Sequence, residues 1–201
     1  GGSITLTVPM LFALAFLGEF LIGGVTGIFL GASGADIYFH DTYFVLAHFH
    51  YTFVPIAVIA VFAGVYFWYP KMFGRMMNET LGKIHFWGTI ICFNCIFIPL
   101  FYLGAAGQHR RIFNYENFPE LAGNDMQSLR VFATMSLVGM LAFQVFFIFN
   151  FIWSLFKGEK AGNNPWNSNT LEWTTTSPAP HGNFPDGFPE CYRGPYEYSV
   201  P

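Results

Sequence analysis

The chain has 201 residues, of which 53% are hydrophobic, 20% aromatic and only 10% charged, and its net charge is −3. A soluble domain carries about 25% charged residues, so this composition excludes an ordinary soluble domain and indicates a membrane protein. The small net charge gives no indication of a nucleic-acid partner. The chain begins without Met and without a cleavable signal-peptide pattern, and we expect it to be part of a longer protein.

Hydropathy along the chain predicts four membrane-spanning helices, each near the roughly 20 residues that a bilayer requires. In chain order, the predicted spans cover about 6–30, 43–69, 84–103 and 131–156. Each should be α-helical, because backbone polar groups in lipid must be paired within their own segment. The predicted fold class is therefore an all-α membrane protein, with a transmembrane region at 1–157 and a coil-rich extramembrane tail at 158–201.

The basic residues outside the spans predict the orientation of the helices. One side of the membrane would hold Lys71, Arg75, Lys83, Lys157 and Lys160. By the positive-inside rule, this side faces the cytoplasm or the mitochondrial matrix. The opposite, outer side would hold the turn 31–42 and the loop 104–130, although that loop also contains arginines.

The first predicted span contains one charged residue, Glu19, and a cluster of glycines. An ionised acid at mid-membrane costs at least about 2.5 kcal/mol. We therefore expect Glu19 to be protonated, or to be paired with a polar group on a neighbouring helix; membership of a proton path is a third interpretation. In the same span, Gly23, Gly24 and Gly27 predict a face for close helix packing.

The stretch HDTYFVLAHFHY at 40–51 leads into the second predicted span and contains His48 and His50. Helical residues turn by about 100° each, so these two side chains leave the helix about 200° apart and at nearly one depth, about 3 Å. They cannot bind one ion together, which requires i and i+4 spacing. The spacing favours one helix between two cofactors, and haem iron commonly takes a His ligand. The alternative is a pair of polar groups satisfied by neighbouring helices.

The cysteines and one further histidine are assigned no chemistry. Cys92 and Cys95 form a CxxC inside the third span without a second pair, and we interpret them as buried small hydrophobes. Cys191 has no obvious partner in the sequence. His85, at the start of the third span, is interpreted as structural.

Five stretches carry a resemblance to a known family. HDTYFVLAHFHY resembles the tenth-helix motif of the haem-copper oxidases, in their cytochrome c oxidase subunit 1 branch. GGSITLTVPM and GGVTGIFLGASGADIYFHD resemble the ninth helix and the loop that follows it. LGAAGQHRRIFNY resembles the loop with paired arginines, and NPWNSNTLEWTTTSPAPHGNF resembles the C-terminal tail in its bacterial form. The resemblance covers essentially the whole chain and implies the C-terminal third of a twelve-helix core.

The resemblance implies two haems, of the A type, bound on opposite sides of the second span. His48 would be the axial ligand of the high-spin haem, where oxygen binds. His50 would be one of two axial ligands of the low-spin haem. A copper ion is also implied, with ligands outside this segment.

The resemblance also assigns residues near the outer surface. His40 and Asp41 would be ligands of a magnesium ion, for which the carboxylate is the better donor. Arg110 and Arg111 would bind haem propionates, a role that the rigid fork of the guanidinium group suits on physical grounds. Asp36 would lie near a propionate of the high-spin haem.

The implied function is terminal respiratory oxidation, in which electrons from cytochrome c reduce oxygen to water while protons are taken up and pumped. The implied partners are the N-terminal part of the subunit, a copper-bearing subunit II, subunit III, cytochrome c and the lipid bilayer. The implied location is the bacterial cytoplasmic membrane, with the mitochondrial inner membrane as the alternative. Two rivals are a ubiquinol oxidase, against which Asp41 argues because Asn is common there, and a non-redox transporter using His48 and His50 as a proton relay.

Overall fold

The computed structural model describes residues 4–114, 117–118, 121–185 and 187–188. These form helices α1 (Val8–Gly31), α2 (Ser33–Phe39), α3 (Tyr43–Val54), a π-helix (Pro55–Ile59), α4 (Ala60–Phe73), α5 (Glu79–Ala105), α6 (Asn124–Lys157) and a 3-10 helix (Leu171–Trp173). Pairing of the β type is limited, within the described residues, to two isolated bridges. Cys191 lies outside the described residues, whereas Cys92 and Cys95 are free thiols.

Four helical segments are long and apolar enough to cross a membrane: Val8–Gly31, Tyr43–Phe73, Glu79–Ala105 and Asp125–Lys157. The predicted all-α membrane class is therefore confirmed. The third and fourth helices begin earlier than the apolar runs that predicted them, because hydropathy does not detect a polar first turn. Asn78, for example, caps α5 by accepting a hydrogen bond from the backbone N of Leu81 at 2.9 Å. The division into a membrane region and an extramembrane tail stays a prediction.

The second span is one continuous helical segment with a wide turn in its middle. Pro55 follows α3 directly and has no amide hydrogen to donate. The chain continues as the π-helix Pro55–Ile59, in which the N–H of Ala60 donates to the carbonyl of Pro55. The widening lies just beyond the two histidines of α3.

The connection between the first two spans contains a helix that the sequence did not predict. α2 occupies most of the segment that was expected to be a turn. In its first turn, the backbone N–H of Asp36 donates to the carbonyl of Ala32 at 2.9 Å. A helix of seven residues is too short to show an apolar period and is held by its surroundings. It places Asp36 and His40 one turn apart.

The bundle has two apolar cores, one toward each end of the helices. One contains Val8, Phe12, Ile59, Tyr66, Tyr69, Met77 and Phe86. The other contains Ala47, Tyr51, Phe93, Ile96, Phe97, Leu100 and Ala133. The third span has half of its apolar window buried, whereas the fourth has only 6% buried. α5 is therefore central, and α6 presents apolar surface outward.

The tail packs against the end of α4. Lys71 Nζ donates hydrogen bonds to the backbone carbonyls of Thr175 at 3.0 Å and Thr176 at 3.1 Å. The same ammonium group lies 4.7 Å from the ring centroid of Trp173, in cation–π contact. One lysine thus provides hydrogen-bond donors to backbone carbonyls in an irregular segment of the tail.

Candidate functional site

His48 is oriented by the neighbouring helix α1. Its Nδ1 lies 2.9 Å from the carbonyl oxygen of Gly23 and 3.2 Å from Thr26 Oγ1. A carbonyl oxygen only accepts, so Nδ1 carries the hydrogen and Nε2 keeps a free lone pair. Fixing one ring nitrogen in this way leaves the other prepared to bind a metal.

Two glycines of α1 allow this close approach. A Cβ atom at Gly27 would lie 2.9 Å from Cε1 of His48, and one at Gly23 would lie 2.7 Å from the backbone carbonyl of Tyr51. A Cβ atom at Gly24 would have nothing within 4 Å. Gly23 and Gly27 therefore lie in the predicted packing face, whereas Gly24 is turned about 100° from Gly23, and its part in close packing stays a prediction.

His50 is oriented by its own helix and by α5. Its Nδ1 donates to the carbonyl oxygen of Leu46 at 2.8 Å, which again leaves Nε2 free. The imidazole stacks on Phe97 of α5, with ring centroids 4.5 Å apart, and lies 4.2 Å from the ring of Phe49. The two histidines therefore contact different helices, His48 contacting α1 and His50 contacting α5.

A second group of predicted residues lies where two connections meet. Thr42, after α2, and His109, after α5, form an antiparallel bridge. Next to it, the backbone N–H of Arg110 donates to the carbonyl of Asp41 at 3.0 Å, and its guanidinium group contacts Oδ1 of Asp41 at 3.0 Å. Asp41 has a φ of 55°, in the left-handed region that Asp tolerates better than most residues. The bridge and the ion pair together clamp these connections.

The imidazole of His40 lies between two carboxylates, those of Asp41 and Asp36. His40 Nε2 lies 3.8 Å from Oδ2 of Asp41, and His40 Nδ1 lies 3.5 Å from Oδ2 of Asp36. Arg111 is exposed and forms no ion pair within the described residues. The structure thus brings together Asp36, His40, Asp41 and Arg110, whereas the side chain of Arg111 is exposed and lies outside this cluster of ion pairs.

Arg110 has one hydrogen-bonding group without a partner. Its Nε is buried and unsatisfied in the part of the chain that the structure describes. A buried N–H on a cation requires an acceptor, and a carboxylate is the strongest one available to a guanidinium group. The residue therefore fits a propionate supplied by a bound haem.

The described residues contain no group of three or more His, Cys, Asp or Glu side chains that could hold a metal ion. Haem iron requires only one or two ligands from the protein, so an isolated histidine with a free Nε2 fits this cofactor. Magnesium requires six ligands, most of them oxygen atoms and several from water, so His40 and Asp41 would supply only part of a site.

Sequence reasoning did not identify the partners of the proposed ligands. Thr26 and the carbonyl of Gly23 hold His48, and the GGVTG run at 23–27 was interpreted only as a packing face. A hydroxyl residue among glycines in an apolar helix is the signal that could have found them. The pairing of Asp41 with Arg110 has no signal in the sequence, because the two residues are distant in the chain.

Three bacterial proteins illustrate what the chain resembles. The alternative cytochrome c oxidase subunit 1 of Bradyrhizobium diazoefficiens is 45% identical over 201 residues, which are 100% of this chain and 34% of that protein. The cytochrome c oxidase subunit 1 of Synechocystis sp. is 45% identical, covering 100% and 35%. That of Bacillus subtilis is 42% identical, covering 92% and 29%. The chain thus spans about a third of the length of these relatives.

A solved structure and a family model also match this chain. A chain of a heme-copper terminal oxidase dimer, solved by cryo-EM, superposes with a TM-score of 0.64 at 20% identity, covering 76% of this chain and 27% of that one. This likeness shows the fold. The model of the family described as cytochrome C and quinol oxidase polypeptide I matches residues 1–142. Since this match covers more than half of the chain, the chain belongs to the cytochrome c and quinol oxidase polypeptide I family.

Proposed function

We propose that this chain is the C-terminal part of the catalytic subunit of a terminal respiratory oxidase, which passes electrons from cytochrome c to oxygen and translocates protons. The observation that supports it is the pair His48 and His50. Both rings hold a backbone carbonyl through Nδ1 and keep Nε2 free, and they contact different helices. One helix is thereby suited to serve two separate irons.

In this proposal each iron takes one histidine from α3. His48 would hold the high-spin haem and His50 would hold the low-spin haem, with a further ligand supplied by the rest of the protein. When bound, the haems carry electrons, and the high-spin haem with the copper ion reduces oxygen. Gly23 keeps the His48 ring oriented, and Phe97 keeps the His50 ring flat against α5. Haem A, copper and subunits II and III belong to the same proposal.

The nature of the electron donor rests on Asp41. Ubiquinol oxidases that resemble this chain tend to have Asn at this position, so the carboxylate favours cytochrome c. The relatives quoted above are also named cytochrome c oxidases. We place the assembled protein in the bacterial cytoplasmic membrane, because the tail resembles the bacterial form.

The experiment that tests the function uses the purified oxidase that contains this chain. We expect its reduced-minus-oxidised absorption spectrum to show two haem components. We also expect oxygen consumption with reduced cytochrome c to exceed that with ubiquinol. A preference for ubiquinol would identify the protein as a ubiquinol oxidase. The absence of any haem band would favour a non-redox transporter that uses His48 and His50 as a proton relay.

We also propose that His40 and Asp41 bind magnesium near the outer surface, with further ligands from elsewhere in the assembled protein. Asp41 Oδ1 already faces Arg110, whereas Oδ2 has only the distant Nε2 of His40. A hard cation prefers such a carboxylate oxygen, together with water. The bound cation would sit beside the clamp that joins the two connections.

The positive charges of Arg110 and Arg111, bound to the haem propionates, should raise the midpoint potential of the low-spin haem. Replacing Arg110 and Arg111 together by Gln should lower the midpoint potential of the low-spin haem, because a fixed positive charge favours the reduced, less positive form. Loss of Arg110 also leaves the charge of Asp41 unpaired, which acts in the same direction. We expect a fall on the order of 50 mV, since about 59 mV corresponds to about 1.4 kcal/mol for one electron. Redox titration of the purified enzyme measures it.

The matched control replaces both arginines by Lys, which keeps the charge and removes the fork. Its midpoint potential should remain close to that of the parent enzyme. A Gln variant that titrates like the parent would refute the assignment of these residues to the propionates.

A further inference from the structure

Glu19 is a buried acid in the middle of α1 that the oxidase chemistry proposed above does not use. Its exposed fraction is 6%, so the bundle shields it from bulk solvent. Its Oε1 accepts a hydrogen bond from Nδ2 of Asn94 on α5 at 2.7 Å. Asn94 Oδ1 in turn accepts from the hydroxyl of Tyr51 on α3 at 2.8 Å. A chain of hydrogen bonds therefore joins three spans around this carboxyl group.

Both N–H groups of the Asn94 amide are used by this arrangement. The second N–H of its amide donates to the carbonyl of Ile90 at 3.0 Å, while its oxygen is taken by Tyr51. Asn94 can therefore give Glu19 one neutral hydrogen bond and no more. Glu19 Oε2 is buried and has no partner among the described residues.

Among the described residues, Glu19 forms no ion pair with a positively charged side chain. The described ion pairs join other residues, and the ionisable groups near this network are the hydroxyl of Tyr51 and the thiol of Cys95, which are neutral when protonated. A carboxylate buried with one neutral donor would carry an unpaired charge inside the membrane. A neutral carboxylic acid would instead have an O–H on Oε2 that needs an acceptor. Water fills such polar sites in protein interiors.

We propose that Glu19 is a proton-exchanging carboxylic acid inside the membrane: it is neutral in the assembled protein, and its Oε2 hydroxyl exchanges its proton with a buried water molecule. In each exchange the O–H bond at Oε2 breaks as a proton passes to the water oxygen, and another proton returns from the water. No net charge is transferred. This site stands independently of the haem assignment, because it uses only contacts among α1, α3 and α5.

The test is infrared spectroscopy of the assembled oxidase. A protonated carboxyl group has a carbonyl band that is distinct from carboxylate and amide bands, and the band shifts downward when deuterium replaces the proton. We expect one such band to be lost in Glu19→Gln, and the parent band to shift in D2O. Gln has the shape of a neutral Glu and keeps the acceptor for Asn94, so the fold should be retained.

Two further variants make the result specific. Glu159→Gln removes an exposed carboxylate outside the spans and should leave the carbonyl band in place. Asn94→Leu removes the donor to Oε1, and the band should move to higher frequency. If Glu19→Gln removes no carboxylic acid band, Glu19 is ionised and the proposal fails. If the band is lost in the variant but is insensitive to D2O in the parent, Glu19 is neutral but does not exchange, which also overturns it.

Discussion

Replacing His50 by Gln should remove the low-spin haem spectrum from the assembled oxidase, whereas replacing His48 by Gln should remove the high-spin haem and its carbon monoxide complex. Each substitution deletes one strong ligand, and the two rings contact different helices, α5 and α1. Each loss should therefore be confined to one iron. Reduced-minus-oxidised spectra, with and without carbon monoxide, measure the two components separately.

His85 provides the matched control for these variants. It is also a buried histidine of the bundle, but both of its ring nitrogens are engaged, Nδ1 with the hydroxyl of Tyr66 at 3.2 Å and Nε2 with Oε1 of Gln144 at 3.1 Å. His85→Gln should leave both haem components in place. The comparison is made in variants that still assemble with the second subunit, because a missing haem leaves a large cavity. Loss of the same spectral component in both the His48 and His50 variants would show that one iron uses both residues.

Gly27→Ala should strongly reduce the high-spin haem component without changing any ligand. The new Cβ atom would lie 2.9 Å from Cε1 of His48, closer than carbon atoms pack, so the ring must move away from the carbonyl of Gly23. Overpacking of this kind costs about 1–3 kcal/mol. The expected result is a lower melting temperature together with a weaker carbon monoxide complex, while the low-spin bands persist.

Gly24→Ala is the control for this prediction, since its Cβ atom would meet nothing within 4 Å. Ala has the higher helix propensity by about 1 kcal/mol, so Gly24→Ala should be neutral or slightly stabilising. A Gly27→Ala enzyme with the parent's carbon monoxide spectrum would mean that α1 does not position His48.

The membrane helices could be predicted because lipid requires long apolar segments, which can be recognised directly in the amino-acid sequence. Their ends could not, since a cap such as Asn78 lies in polar sequence that resembles a loop. α2 could not be predicted either, because seven residues carry too little periodicity. Each of these differences lies at the surface of the bundle, where local sequence and tertiary contacts compete.

Some features of the candidate site could be predicted from the sequence, and others depend on tertiary contacts. The opposite directions of His48 and His50 follow from the helical turn alone. The carbonyl of Gly23 that holds His48 and the clamp between Asp41 and Arg110 depend on which helices are neighbours. For Glu19, the sequence indicated either a proton or a polar neighbour. The structure supplies the neighbour, Asn94, whose single neutral hydrogen bond leaves the carboxyl group in need of its proton.

The contacts of Lys71 have a consequence for the order of events during synthesis. Lys71 emerges from the ribosome well before Thr175 and Thr176, from which it is separated by 104 and 105 positions. While the second span is being synthesised, the ammonium group therefore lacks these tail partners. Once the tail has been made, the same charge is enclosed by carbonyls and the ring of Trp173. A single lysine thus fixes the tail to the end of α4 only after more than a hundred further residues have been synthesised.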